Sequence, residues 1–273
     1  MSGSHQREDF FLTLRESQLS PGQPIALEKL VFPDEAALIK EEDKTLVWRL
    51  RMGGGESAVV KMYRRRGPLN EWRGRIRQFR VQREFSALNV LVAAGVPCSA
   101  PLLWGFGSAA EQGHFEILVT REIPCARNLK EILTATGQTL NSSHCLPLFE
   151  VIRRAHRCGV YHGALWPKNI LVSNAPPQEP GFHLIDMARS VRFPRDIGAT
   201  RMARFDLLSL LYSLARLCPD FDAKAMLQSY GMPAAEAQET AKQSGQYHSS
   251  RHLRNRLTLE FQARAWLARL GMR

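Results

Sequence analysis

The sequence changes character near residues 122–127: strand-like runs dominate before this point and helical runs after it. In the first part, β-rich residues 45–52 and 57–63 flank Gly53-Gly54-Gly55, which predicts a hairpin closed by a glycine turn. Helical periodicity follows in residues 128–135, 144–158 and 200–217. Strands followed by helices favour an α+β fold. We therefore expect a small β-rich N-lobe with one helix, a larger helical C-lobe, and a cleft between them.

The same patterns predict three segments. We interpret residues 1–24 as polar, ending in Ser20-Pro21-Gly22-Gln23-Pro24, and therefore expect residues 1–25 to form a flexible N-terminal arm. Residues 26–123 would form the N-lobe and residues 124–273 the C-lobe. The single helix of the N-lobe is predicted over residues 68–94, with its end at Gly95. Its predicted apolar face consists of Phe85, Leu88, Leu91 and Val92.

The composition indicates a globular chain, because 44% of its 273 residues are hydrophobic. No run approaches the 18 or so apolar residues of a membrane span, and residues 1–9 lack the apolar core of a signal peptide. The five cysteines are scattered without a C-x-x-C pair, which argues against a disulfide framework and against a zinc site. These features predict a cytoplasmic protein with reduced thiols.

The net charge of +11 is concentrated in two arginine-rich blocks, residues 64–83 and 251–273. Each block is either a solvated helical face or a contact surface for nucleic acid, an anionic membrane or a phosphorylated substrate. Nucleic acid is the least favoured of these partners. The blocks contain few interleaved aromatic residues, and no RNP, KH or zinc-finger spacing is present.

The residues that carry chemistry cluster in His162-Gly163-Ala164-Leu165-Trp166-Pro167-Lys168-Asn169, followed downstream by Leu184-Ile185-Asp186. This arrangement resembles the protein-kinase catalytic loop, H-R-D-L-x-x-x-N, with its metal-binding aspartate. Asn169 and Asp186 would supply the oxygen ligands that Mg²⁺ prefers. His162 is expected to tie the loop to the core, and Lys168 to steady the transferred phosphate.

Two residues of the predicted N-lobe fit the same resemblance. Lys61, in Ala58-Val59-Val60-Lys61, stands where the V-A-I-K motif places the lysine that binds the α- and β-phosphates of ATP. Glu84 matches the glutamate that orients this lysine. Asp206 is expected either to brace the catalytic-loop backbone or to cap the helix that it opens. The resemblance implies a protein-kinase-like two-lobe fold over most of residues 26–217.

The sequence departs from the kinase pattern in two places. Ala164 occupies the position of the catalytic carboxylate, which accepts the proton of the hydroxyl group. No G-x-G-x-x-G precedes Lys61, and we interpret Gly53–Gly55 as a hairpin turn rather than a phosphate lid. General-base catalysis contributes about 10²- to 10⁴-fold, whereas phosphoryl transfer depends mainly on positioning and electrostatics. Slow transfer therefore remains feasible, with Asp186 or a substrate phosphate taking the proton.

Other segments indicate a narrower group. Residues 80–88 read R-x-x-R-E-F-x-x-L and are followed by Ala94-Gly95-Val96-Pro97, and L-I-D replaces D-F-G. These segments resemble the bacterial lipopolysaccharide core kinases, which include Kdo kinases, heptose kinases and InaA-like proteins. The loop form at residues 162–169 is similar to the InaA-like branch.

This resemblance implies an ATP- and Mg²⁺-dependent kinase acting on a heptose or Kdo hydroxyl of the lipopolysaccharide inner core, or on another phosphorylated acceptor. It also implies cofactor contacts at the hinge-like residues Glu122 and Ile123. The basic blocks would then make peripheral contact with the anionic inner membrane surface.

Two alternatives remain at this stage. An ATP-binding pseudokinase that regulates or scaffolds envelope or stress functions would account for Ala164. An aminoglycoside- or choline-kinase-like phosphotransferase is suggested by His162-Gly163 in place of His-Arg, but the basic charge of the chain speaks against a cationic substrate. The kinase hypothesis is favoured because the expected phosphate-binding and metal-binding residues are all present.

Overall fold

The computed structural model describes residues 10–17, 27–31, 37–65, 80–110, 113–135, 142–173, 181–218, 220–246, 259–265 and 267. By their contacts the described residues form two compact units, one within residues 1–85 and 100–122 and the other within residues 86–99 and 123–273. The first is a β-sheet with the start of a helix, and the second is mainly helical. The expected α+β class is confirmed.

The first unit is built on one antiparallel sheet of six strands in the order β1-β5-β6-β4-β3-β2. The strands are β1 (Phe10–Ser17), β2 (Leu38–Glu42), β3 (Thr45–Arg51), β4 (Ser57–Arg65), β5 (Pro101–Ala109) and β6 (Gly113–Arg121). The predicted hairpin is confirmed, because β3 pairs with β4 across a single turn at Gly53–Gly55. Gly54 in that turn has a φ of 75°, a value at which glycine avoids the steric cost of a side chain.

The expectation of a flexible arm is wrong for part of its length. Residues 10–17 form the edge strand β1, which pairs with β5 from Phe10 opposite Ala109 to Ser17 opposite Leu103. The pairing supplies hydrogen-bond partners that the local sequence does not reveal, because β5 is distant along the chain. Residues 1–9 and 18–25 lie outside the described residues.

The core of the first unit lies against one face of this sheet. Trp48, Met62, Phe115 and Ile117 are among its fully buried side chains. The indole N–H of Trp48 donates to the backbone carbonyl of Lys29 at 3.1 Å, so the largest core side chain has its polar atom paired.

Helix α1 (Arg80–Ala93) starts in the first unit and ends in the second. Its buried residues include Phe85, Leu88 and Leu91, as predicted, whereas Val92 is 43% exposed and the prediction for it was wrong. The helix stops at the expected place, with the N–H of Val96 bonded to the carbonyl of Leu91 at 2.8 Å. Residues 68–79, where the helix was also predicted, lie outside the described residues.

Residues 86–99 pack with the second unit, although the sequence placed them in the N-lobe. The N–H of Leu184 donates to the carbonyl of Pro97 at 3.1 Å, and Arg154 donates to the carbonyl of Gly95 at 2.6 Å. Backbone hydrogen bonds of this kind tie the segment after α1 to the helical unit.

The second unit contains helices and two small sheets. The helices are α2 (Leu129–Thr134), α3 (Leu146–Arg157), α4 (Arg201–Leu217), α5 (Ala223–Ser229) and α6 (Ala234–Gln246). The strands are β7 (Arg127–Asn128), β8 (Val160–Tyr161), β9 (Ile170–Ser173), β10 (Gly181–Leu184) and β11 (Val191–Arg192). They pair as β10-β9-β7 and β11-β8. Residues 259–265 are also helical, and Phe261 among them is 1% exposed.

Helix α4 is the buried helix that the sequence predicted. Its residues from Leu207 to Leu211 are all buried, and so is Asp206. None of the described helices has the length and apolarity needed to cross a membrane. All five cysteines lie among the described residues as free thiols, and burial raises the pKa of Cys98 and of Cys145 to about 12.

Candidate active site

The predicted lysine–glutamate pair is present in the first unit. Lys61 lies on β4 between Val60 and Met62, which are fully buried in the core. Alternation along the strand turns Lys61 to the other face, where its ammonium lies 3.3 Å from Oε1 and 3.5 Å from Oε2 of Glu84 on α1. The Glu84 side chain is 3% exposed and that of Lys61 16%, so the ion pair is shielded from water.

Two buried residues support this pair, and neither was expected from the sequence. Tyr63 follows Lys61 by two positions, lies on the same face of β4, and donates its hydroxyl to Oε2 of Glu84 at 3.2 Å. Glu116 on β6 accepts a hydrogen bond from the backbone N–H of Val81 at 3.1 Å, which holds the first turn of α1. Two features of the sequence could have indicated them: Tyr63 lies two residues after Lys61 and so on the same face of the strand, and Glu116 is a charged residue within an apolar stretch of its strand.

In the second unit, Asp206 braces the catalytic-like loop. Its carboxylate accepts hydrogen bonds from the backbone N–H of His162 at 2.7 Å and of Gly163 at 3.0 Å. His156 Nε2 lies 3.3 Å from the same carboxylate. Asp206 is well inside α4, whose N-cap residue is Thr200. The bracing role is therefore confirmed, and the alternative of a helix cap is wrong.

His162 connects the loop to the segment that carries Asp186. Its Nε2–H donates to the carbonyl of Ile185 at 3.1 Å, and its Nδ1 accepts from the N–H of Ala164 at 3.3 Å. The bond accepted by Nδ1 requires the neutral imidazole, in which Nε2 carries the proton. Burial lowers the pKa of His162 below its usual value and outweighs the opposing influence of Asp206. This geometry fits the expected structural role of His162.

Gly163 replaces the arginine of the kinase loop for a steric reason. Its φ is 76°, and a Cβ at this position would lie 2.6 Å from the carbonyl oxygen of Arg189. A side chain here would collide with backbone rather than with a movable group. The close packing of the two loops thus requires glycine.

Ala164 is held by its backbone. Its N–H donates to His162, and its carbonyl accepts from Nδ2 of Asn169 at 2.8 Å. It lines a cavity of about 370 Å³ together with Trp166, Lys168, Asn169, Asp186 and Arg189. The position that usually supplies the base therefore offers only the methyl group of Ala164. Asp186 is the single carboxylate among the lining residues.

The residues of this cavity fit a magnesium ion. Because Nδ2 of Asn169 bonds to Ala164, the amide is oriented with Oδ1 as the atom for a cation, and Asp186 adds a carboxylate. Asp186 has a φ of 58°, a strained conformation of the kind found at functional sites. Within the described residues no three His, Cys, Asp or Glu side chains cluster around a metal position. Mg²⁺ commonly needs only one or two protein oxygens beside phosphates and water.

The other predicted site residues occupy different environments. Lys168 is exposed at the cavity, on the short 3₁₀ turn Pro167–Asn169. The carboxylate of Glu122 lies 2.7 Å from the guanidinium of Arg49. The backbone N–H of Glu122 donates to the carbonyl of Ser57. The cofactor-binding role of Glu122 and Ile123 stays a prediction.

Comparisons with known proteins agree with this description. The model of the lipopolysaccharide kinase (Kdo/WaaP) family matches residues 34–230. No curated protein sequence matches the chain. A solved structure described as WaaP in complex with acyl carrier protein aligns with a TM-score of 0.54 and 17% identity, covering 82% of this chain and 88% of that one.

A second solved structure is the Rio2 kinase with ADP, Mg²⁺ and phosphoaspartate from Chaetomium thermophilum, with a TM-score of 0.48 and 14% identity over 81% of this chain and 72% of that one. The structural match to WaaP confirms the expected protein-kinase-like fold. The InaA-like branch stays a prediction.

Proposed function

The chain belongs to the lipopolysaccharide kinase (Kdo/WaaP) family, and from this premise we propose that it is an ATP- and Mg²⁺-dependent kinase for a heptose or Kdo hydroxyl of the lipopolysaccharide inner core. The shielded ion pair of Lys61 and Glu84 carries the proposal. Removing two charges from water is costly, and such a pair adds little to stability by itself. Its presence beside a core strand is better explained by a need for an oriented cation.

In this proposal, different residues serve the phosphates and the metal. Lys61 neutralises the α- and β-phosphates and is kept in place by Glu84. Asn169 and Asp186 hold Mg²⁺, which neutralises phosphate charge when it is bound. Asp206 and His162 keep the loop that carries Asn169 in one conformation, so that little rearrangement is needed before transfer.

Without a carboxylate at position 164, another group must accept the proton of the acceptor hydroxyl. The acceptor hydroxyl must lose its proton to Asp186 or to a phosphate of the substrate. General-base catalysis is worth about 10²- to 10⁴-fold, so we expect slow transfer.

The charge of the cavity supports an anionic acceptor. Lys168 and Arg189 are two cations among its lining residues, opposed by Asp186 alone. A phosphorylated or carboxylated core sugar suits this balance, whereas a cationic aminoglycoside does not. We also propose that the protein works in the cytoplasm at the anionic surface of the inner membrane. Such contact should weaken as salt increases.

A second candidate function is favoured by Ala164 itself. An ATP-binding pseudokinase would keep the ion pair and the metal ligands, lose turnover, and use nucleotide binding to regulate or scaffold envelope or stress functions. The two candidates make the same prediction for binding and opposite predictions for transfer.

The test combines nucleotide binding with phosphate transfer. Calorimetry measures ATP affinity with and without Mg²⁺, and radiolabelled ATP reports transfer to purified core oligosaccharide. The variants are Lys61→Ala, Asp186→Ala and Ala164→Asp. Lys40→Ala is the matched control, because Lys40 pairs with Glu42 on an exposed strand of the same sheet.

Transfer by the wild type that disappears in Asp186→Ala supports the kinase. Binding without transfer in the wild type, with transfer gained in Ala164→Asp, supports the pseudokinase. Absence of Mg²⁺-dependent ATP binding in the wild type would refute both functions. Equal loss of affinity in Lys40→Ala and Lys61→Ala would refute the assigned role of Lys61.

A further inference from the structure

Tyr63 is a second residue, besides Lys61, that connects strand β4 to the first turns of α1. Its hydroxyl reaches Glu84, while its ring lies beside two cations. The ring centroid is 5.1 Å from Nζ of Lys61 and 4.8 Å from the guanidinium carbon of Arg80. Cations within about 6 Å of an aromatic ring are attracted to it. One side chain thus contacts the lysine, the glutamate and the residue that begins the helix.

The burial of Tyr63 makes its hydroxyl significant. The residue is 6% exposed, and a phenylalanine would fill the same apolar space without a polar atom to satisfy. A buried hydroxyl is costly unless it is hydrogen bonded, and this one donates to a carboxylate that also serves Lys61. The Lys61 ammonium and the Tyr63 hydroxyl both lie within hydrogen-bond distance of Glu84 Oε2. Together they limit rotation of the Glu84 carboxyl group about its terminal torsion.

The backbone of α1 is fixed nearby by a separate contact. Glu116 holds the N–H of Val81, and in the sheet Glu116 is the direct neighbour of Tyr63 on the adjoining strand. The start of the helix is therefore anchored by β6 through its backbone and by β4 through Tyr63. With the helix held in this way, the remaining freedom at Glu84 is that of its own side chain.

We propose that Tyr63 is a positioning residue for nucleotide binding: its hydroxyl orients the Glu84 carboxylate, which in turn orients Lys61 toward the phosphates. This assignment rests on the proposed function. Tyr63 acts through Glu84, so its contribution should vanish when Glu84 or Lys61 is removed. A residue needed only for packing would act independently of them.

The test is a double-mutant cycle on Mg²⁺-ATP affinity. Tyr63→Phe removes the hydroxyl and keeps the ring with its cation contacts. Because the hydroxyl acts on the nucleotide only through Glu84, part of the worth of a hydrogen bond to a charged group should reach the affinity, and we expect a loss of about three- to tenfold. Glu84→Ala provides the second background, and Lys61→Ala replaces it if Glu84→Ala does not fold. Tyr212→Phe is the control, since its hydroxyl accepts a bond from Arg216 on an exposed face of α4.

The expected result is weaker binding in Tyr63→Phe, no change in Tyr212→Phe, and no further loss when Tyr63→Phe is added to either background. Binding by Tyr63→Phe equal to that of the wild type would overturn the assignment. An equal loss in the wild-type and Glu84→Ala backgrounds would also overturn it, because the hydroxyl would then act without Glu84. If the wild type binds no nucleotide, the proposed function fails and this assignment fails with it.

Discussion

Replacing Asp206 by alanine should destabilise the protein mainly by leaving two backbone donors of the catalytic-like loop without partners. The N–H groups of His162 and Gly163 bond to this carboxylate at 2.7 and 3.0 Å, and Asp206 is 1% exposed, so water cannot readily replace it. An unsatisfied buried donor costs about 1–3 kcal/mol. Two of them predict a loss of about 2–6 kcal/mol in the free energy of unfolding, a large part of the roughly 5–15 kcal/mol of a typical domain.

Asp206→Asn should lose about half as much, since an amide oxygen can accept one of the two bonds while its NH₂ group faces the other donor. The assay is urea unfolding at neutral pH, together with hydrogen exchange of the amides at residues 162 and 163. Asp222→Ala is the matched control: Asp222 is an exposed N-cap that accepts from Ala225 at 3.0 Å, and its loss should cost about 1 kcal/mol. If Asp206→Ala cost no more than this control and the loop amides stayed protected, the bracing argument would be refuted.

Three further outcomes are expected. Gly163→Ala should lower the free energy of unfolding by about 2–4 kcal/mol, because its Cβ would meet backbone. Gly54→Ala is the control: its φ is similar but the space around it is open, so it should cost about 1 kcal/mol in the same urea assay. Equal losses in the two variants would contradict the steric explanation. The pKa of His162 is lowered by burial in the folded state, so the unfolded chain takes up the proton first as pH falls below about 6.5, and the free energy of unfolding decreases toward the folded pKa. Between pH 7.5 and 5.5, the free energy of unfolding of His162→Gln should therefore fall by about 1 kcal/mol less than that of the wild type. Equal decreases in the two proteins would contradict the lowered pKa. The buried thiol of Cys145, with its pKa raised to about 12, should react with Ellman's reagent at neutral pH only after urea unfolding. Rapid reaction of Cys145 in the folded protein would contradict its burial.

The residues of the candidate site were predicted from motifs whose spacing is local. Lys61 could be found because V-A-I-K places the lysine on a core strand, and Asn169 because it lies within one short loop. Tyr63 and Glu116 were missed because they belong to no motif, and their contacts with α1 depend on how the sheet meets that helix. Side-chain partners of this kind arise from tertiary packing.

Strand β1 was missed for a related reason. Residues 10–14 are Phe-Phe-Leu-Thr-Leu, a short run that suits a strand, but their partner β5 lies some 90 residues away. A clue was present in β5 itself: Gly105 lies opposite Leu14, and a Cβ there would meet the carbonyl oxygen of Thr13 at 2.7 Å. Glycine within a strand can indicate the close approach of another backbone, but it does not say which segment approaches.

The attachment of Ala164 has a consequence for how the proposed activity can change during evolution. Its bonds to His162 and Asn169 use its backbone N–H and carbonyl groups, and neither bond depends on which side chain the residue carries. The conformation of the loop at this position therefore depends on backbone hydrogen bonds, whereas the ability to accept a proton depends on the side chain. A single nucleotide change can turn an alanine codon into an aspartate codon, so a lineage could lose or regain the base in one step without having to rebuild the loop.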